Sequence, residues 1–390
     1  MIDTSKTIGA NETFDFKKIH DFVSRGIMTN LSTLEKAIFG LEYVGQLQRE
    51  GLDLIFKGGS AVQIVLGDEW TRVSVDIDVC IDAQKEELES VMEKIHEKFS
   101  ENAFGYEQRD RQIGGTIPFY LYRVETPSLT EESRVILLDA MGRKPNFATQ
   151  KTPLRSFFFK SAETVTTPTV GSLLGDKLST IGPTSIGRHL VDSRNGLEYA
   201  KHLFDIGGLQ GVDFDIEQCR AAYAEAMGIQ SKIRNKECVP EECIDDMLFT
   251  CQVASLSQQV GEQAIRELPG STAARAASEF RILQDGLRRF RPFLVQTTSY
   301  TWDDLRSNAA RTALIAKILN SKLKDARARQ ILDIPPPNTK EQILTLVEHI
   351  KRIPKSVSWF IIPDEIVYFP KVLSAWHSFF FLDELLTNGH

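Results

Sequence analysis

A chain of 390 residues, 42% hydrophobic and 25% charged with no biased segment, has the make-up of an ordinary globular protein with room for two domains or three. It holds no apolar run of ~18 residues or more, which argues against a membrane-spanning helix, and its start, Met1-Ile2-Asp3-Thr4-Ser5-Lys6, lacks the layout of a signal peptide. Five scattered cysteines are an odd set without paired short spacings, so reduced thiols in the cytoplasm are expected rather than a disulfide framework or a zinc site.

Residues 1–30 have little periodicity and read as a capping arm. Ser32–Glu50 is an amphipathic helix with Leu34, Ile38, Leu41 and Val44 on one face, Ser32 as its N-cap and Gly51 as its stop. Strands are expected at 53–57 and 74–81, with a helix from Ser60 to Leu66 between them. A charged helix follows over Ala83–Phe99, then strands at 117–124, 134–140 and 155–160, separated by Gly, Pro and Asn turns. From Val170 onward the pattern is almost wholly helical. The fold class expected is therefore α+β, with a mixed sheet and flanking helices in 1–165 and a helical part in 166–390. Pro335-Pro336-Pro337 marks a stiff break that would set off a final subdomain.

The stretch Phe56–Asp82 carries the chemistry. Leu54-Ile55-Phe56-Lys57 runs into Gly58-Gly59-Ser60, and Asp76 and Asp78 stand two residues apart in the next strand. Positions i and i+2 of a strand share a face, so both carboxylates would enter one site while Ile77 and Val79 enter the core. Paired acids suit hard divalent cations, and glycines let backbone N–H groups approach a polyphosphate. The alternative is an Asp-x-Asp in a surface loop. Asp139 ends the apolar run Val135-Ile136-Leu137-Leu138 and is the candidate third acid of a two-metal site, its alternative being a strand-terminal Asp in a turn.

Further on, Lys177 opens a second cluster in Gly171–Thr180, and Lys201 and Asp205 are spaced i, i+4 on a helix. That pair is either a surface ion pair or a lysine aimed at a triphosphate. His202 alone reads as a helix histidine rather than a base. Between Arg275 and Arg329, twelve Lys/Arg stand against five Asp/Glu in a chain whose net charge is −7. This local excess of +7 suits a polyanion, with solvated helix faces as the alternative.

Taken in order, Lys57-Gly58-Gly59-Ser60, Asp76/Asp78, Asp139, Lys177-Leu178 and Lys201-His202-Leu203-Phe204-Asp205-Ile206 resemble the motifs of the AbiEii/AbiGii-type toxin nucleotidyltransferases, members of the DNA polymerase β-like superfamily. The likeness covers about residues 32–210. Two positions depart from it: Gly171 and Ser172 occupy the helix turn where an acid is usual, and His202 stands where many members have Asp.

The resemblance implies a nucleotidyltransferase core in 1–165 and transfer of a nucleoside monophosphate from an NTP. Asp76, Asp78 and Asp139 would hold Mg2+. Gly58, Gly59 and Ser60 would meet the β- and γ-phosphates with Lys177 and Lys201, and Asp205 would orient Lys201. It further implies a toxin with a cognate antitoxin and an RNA acceptor such as a tRNA 3′ end. A protein or small-molecule hydroxyl is the competing acceptor, and a non-catalytic nucleotide-binding regulator the competing class. Three acids argue against a pure binder, which has no need of Asp139.

Overall fold

The computed structural model describes residues 2–28, 30–99, 103–109, 116–127, 135–295, 297–321 and 323–387. Its N-terminal arm contains helix α1 (Phe16–Ser24), capped by Asp15, and lies against α2 (Leu31–Arg49). Asn30, two residues before the serine expected as the cap, caps α2 by accepting from the Thr33 amide at 3.1 Å. Helix α2 is buried along almost its whole length, including Glu42. That carboxylate accepts the Ile8 and Gly9 amides at 3.0 and 2.9 Å, and so fastens the arm to the core. Burial holds the Glu42 carboxyl above its ordinary value.

Strand β1 (Leu54–Lys57) leads directly into α3 (Gly58–Leu66), which is followed by β2 (Ile77–Ile81) and α4 (Lys85–Phe99). Strands β3 (Tyr106–Gln108), β4 (Phe119–Glu125) and β5 (Val135–Met141) complete a five-stranded sheet in the order β1-β2-β5-β4-β3. Only β2 and β5 run parallel; the other neighbours are antiparallel. The expectation at 134–140 begins on a residue outside those described. The short strand β3 carries almost no apolar pattern, and this is why it is absent from the sequence reading.

The strand expected at 155–160 is a tight turn instead, closed by the Ser156 amide on the Phe159 carbonyl at 2.8 Å. Phe158 and Phe159 are both buried although adjacent, which alternation along a half-exposed strand does not allow. The turn is flanked by a two-stranded ribbon, β6 (Thr149–Pro153) with β7 (Thr164–Pro168). Its Thr, Gln and Lys residues give no apolar signal.

After the ribbon the chain is helical: α5 (Val170–Leu178), α6 (Ser193–Gln210), α7 (Ile216–Arg234), α8 (Pro240–Ala254), α9 (Gly261–Arg266), α10 (Gly270–Phe290) and α11 (Trp302–Asn320), then shorter helices to Thr387. The architecture is α+β, as expected. Glycines let α6 and α10 pack closely: a Cβ on Gly196 would fall 2.1 Å from the Ile282 carbonyl oxygen, and one on Gly286 2.0 Å from the Gly196 carbonyl carbon. The segment after α10 pairs with the stretch before β2, the Val73 amide bonding Phe293 O and the Val295 amide bonding Thr71 O, each at 2.8 Å. The helical half thus fixes the approach to the Asp-x-Asp strand. Among the described residues no helix is long and apolar enough to cross a membrane.

Candidate active site

Asp78 lies in a row that crosses the sheet. Strand β1 brings Lys57 opposite it on one side and β5 brings Asp139 on the other, with Leu121 of β4 beyond. Asp76 is two residues earlier, exposed at the strand mouth, while Ile77 and Val79 are buried in the core. The alternation read from the sequence is therefore the one observed. Burial, and after it the charges of Asp139 and Asp76, push the Asp78 carboxyl up to about 7. Asp76 is also raised, mainly because the surrounding protein displaces water from it.

Crowded hard-oxygen donors of one sign fit a divalent cation, which would relieve their repulsion. Among the described residues, however, no three Asp, Glu, His or Cys side chains are placed to hold a metal ion together. The Asp139 carboxylate is turned onto Arg109, whose guanidinium donates to its Oδ1.

Helix α3 begins where the Asp-x-Asp strand needs room. Gly58 has φ +75°, and a Cβ there would sit 1.9 Å from Asp78 Oδ2. No side chain caps this helix, so its first-turn N–H groups are not taken by a cap. Gly59 is closed over by Ser74 and Arg72, its would-be Cβ 2.6 Å from Ser74 Oγ. Ser60 is buried and its hydroxyl donates to the Asp76 carbonyl at 2.7 Å. Its proton therefore holds the Asp-x-Asp loop to α3, a role the sequence reading did not give it.

Beside the acids stand Lys177 of α5, Lys201 of α6 and Arg72, whose charges act on Asp76 or Asp78. Asp205 is fully buried and lies between Lys177 Nζ at 3.0 Å and Arg72 Nη1 at 3.4 Å. The expectation that Asp205 orients Lys201 is thereby corrected: Asp205 turns across to α5, and Lys201 turns back along its own helix. Lys201 bonds Glu198 at 3.0 Å and rests over the Phe293 ring at 4.0 Å. Arg188 lies 3.9 Å from the same glutamate. Burial pushes Glu198 up, but Lys201, Arg188 and Arg72 together outweigh it and hold this carboxyl below its ordinary value. Four cations thus stand against Asp205 and Glu198, leaving net positive charge. His202 is neutral here, depressed well below its usual value first by burial and then by Lys177, Arg188, Arg72 and Lys201. It is no candidate base.

Behind Asp205, Phe204 packs against Trp70 and Tyr300 with ring centroids 4.8 and 4.9 Å away, holding α6 in place. The sequence reading missed Asp176, which bonds Lys57 Nζ at 3.1 and 3.2 Å. Adjacent helix residues diverge by about 100°, so Asp176 reaches β1 while Lys177 reaches α6. Burial disfavours the Lys57 charge, yet Asp176 holds its pKa above the ordinary value. Asp176 is thus an acid on this helix beside Lys177, whereas Gly171 and Ser172 drew attention to the first turn. Glu198, three residues before Lys201, was legible by helical spacing; Arg109, Arg188 and Phe293 were not.

The model of the nucleotidyl transferase AbiEii toxin family, type IV toxin–antitoxin system, matches residues 45–334. The chain belongs to the AbiEii family. It is a nucleotidyltransferase of the toxin kind, with an NTP as substrate. The match reaches well beyond the 32–210 region on which the resemblance was read and includes α7 to α11. Among solved structures, the nucleotidyltransferase toxin MenT4 from Mycobacterium tuberculosis aligns over 77% of this chain and 99% of that one, with TM-score 0.43 and 14% identity. No curated protein matches the AbiEii chain.

In this AbiEii protein the basic stretch 275–329 divides in two. Arg275 is engaged by Asp246 and Glu279 and lies over Phe249, and buried Arg306 bonds Ser255 O and lies over Phe369. Arg311, Lys317, Arg327 and Arg329 also have internal partners. Lys322 lies outside the described residues. Arg281, Arg288, Arg289, Arg291 and Lys324 are exposed. Three of these, Arg288, Arg289 and Arg291, sit at the C-terminal end of α10, immediately before the Phe293 that supports Lys201.

Proposed function

We propose that the protein moves a nucleoside monophosphate from an NTP to a hydroxyl of an RNA acceptor, such as a tRNA 3′ end, in a Mg2+-dependent reaction in the cytoplasm that its antitoxin counteracts. The observation that carries this is the grouping of Asp76, Asp78 and Asp139, each raising the charge cost of another, beside Lys177, Lys201 and Arg72. Asp76, Asp78 and Asp139 would hold the metal. When bound, Mg2+ supplies charge stabilisation for the attacking and leaving oxygens of an in-line displacement.

The chain's own groups do the rest. The uncapped first turn of α3 offers amides to the phosphates. Lys177 and Lys201 would neutralise the triphosphate and the departing pyrophosphate. Asp205 fixes the Lys177 ammonium and Arg72 in place, so that their charge is positioned before substrate arrives. Arg288, Arg289 and Arg291 add exposed positive charge at the end of α10, just before the Phe293 under Lys201, in keeping with a polyanionic acceptor.

Incubation with each α-labelled NTP and total cellular RNA and protein tests the acceptor. Label is expected in RNA. Replacing Arg288, Arg289 and Arg291 by Glu is expected to weaken RNA binding and flatten its salt dependence while NTP binding survives. Label in protein or a small molecule, with RNA unlabelled, would overturn the RNA reading and leave the transfer chemistry standing.

A further inference from the structure

The row that crosses the sheet through Asp78 has a charged residue at each end. Lys57 closes it on β1 and is paired with Asp176. At the other end Arg109 follows β3 and continues its pairing with β4: the Arg109 amide bonds Leu121 O at 2.7 Å, and Leu121 is the register partner of Asp139. Its half-buried side chain therefore extends past Leu121 to Asp139. There it donates to the carboxylate and lies 3.4 Å from the Leu138 carbonyl oxygen, while its buried Nε has no hydrogen-bond partner among the described residues. A guanidinium held on the acid next to Asp78 is an internal cation in the place where charge of that sign is needed.

We propose that Arg109 is a positioning residue that occupies Asp139 in the metal-free enzyme and gives way to the divalent cation, so that loading of the site is an exchange of one cation for another. This rests on the reading of Asp76, Asp78 and Asp139 as metal ligands. The exchange has two consequences. Arg109 lowers the affinity of the empty site for metal, and in doing so prevents three crowded carboxylates from repelling one another while no metal is bound. Metal binding then frees a guanidinium beside the acids, where a polyanion can take it up.

Mn2+ binding to the full-length protein without nucleotide, followed by the loss of its free-ion electron paramagnetic resonance signal, tests the exchange. Arg109→Gln is expected to bind Mn2+ roughly tenfold more tightly, the scale of one partly screened neighbouring charge. Arg109→Lys is expected to return the affinity to near the wild-type value. In an Asp139→Asn background, Arg109→Gln is expected to leave Mn2+ affinity unchanged, since the competition acts through that carboxylate. Unchanged or weaker Mn2+ binding by Arg109→Gln, with wild-type binding intact and lost in Asp78→Asn, would overturn the exchange alone. A persistent effect in the Asp139→Asn background would likewise overturn it, because Arg109 would then act as a general surface charge. No Mn2+ binding by the wild type would overturn the metal-site reading together with the exchange.

Discussion

Gly58 and Asp78 share one space: the carboxylate of Asp78 lies where the side chain of any other residue at 58 would begin, 1.9 Å from the position of a Cβ. The glycine also holds φ +75°, a conformation that costs an L-residue about 1 kcal/mol or more. Gly58→Ala is therefore expected to displace Asp78, to lower stability by on the order of 2 kcal/mol, and to reduce nucleotidyl transfer severely. Denaturant unfolding and a transfer assay on the same preparation check both. An alanine variant with wild-type stability and rate would mean that the contact yields easily.

The pH response of the metal-free protein follows from Asp78. Its carboxyl is raised from 3.8 to about 7, so the native state binds this proton more tightly than the unfolded chain does. The stability this confers is complete below about pH 4 and is lost as pH rises through about 7. In chelator, the Asp78 contribution predicts stability falling between pH 4 and 7, by up to a few kcal/mol, and Asp78→Asn should remove that slope. Metal should bind more tightly as pH rises over the same range, because the ligand must lose its proton. Urea unfolding of wild type and Asp78→Asn across this range is the measurement. Parallel pH profiles would contradict the assignment.

Asp76 and Asp205 are both single carboxylates at the site, yet their removal should have very unequal structural consequences. Asp205 is fully buried between Lys177 and Arg72. Asp205→Ala leaves two buried cations without their partner and is expected to cost about 3–5 kcal/mol. Asp76 is exposed at the strand mouth, with acids and cations both acting on it, so Asp76→Ala is expected to change stability by only about 0.5 kcal/mol in either direction. Thermal unfolding of the two variants separates them. Equal destabilisation would show that Asp76 has a structural role not evident from its surroundings.

How much was legible depended on whether a signal was local. Asp76 and Asp78 could be read because strand alternation fixes their face within three residues, and Gly58 because a glycine pair after an apolar strand has few other uses. The helices α2 and α4 announced themselves by periodicity. Asp139 was found as an acid ending an apolar run, but its placement beside Asp78 depends on the parallel pairing of β2 with β5, separated by more than fifty residues. Arg109 was invisible for the same reason: its partner is set by register across β4, not by spacing. The pairing of Asp205 with Lys177 rather than Lys201 is a tertiary choice between α5 and α6, and the i, i+4 rule favours the wrong lysine. The ribbon β6–β7 was hidden by polar composition, while Phe157, Phe158 and Phe159 imitated a strand.

We propose that transfer runs through Asp78 on β2 and Asp139 on β5. The decisive experiment is single-turnover transfer of label from an α-labelled NTP to RNA, with Mg2+ or chelator, in wild type and Asp78→Asn. Wild type is expected to transfer only with the divalent cation, and Asp78→Asn to lose about a thousandfold or more with its fold retained. Transfer by Asp78→Asn within about threefold of wild type, equivalent to less than 1 kcal/mol of transition-state stabilisation, would contradict it.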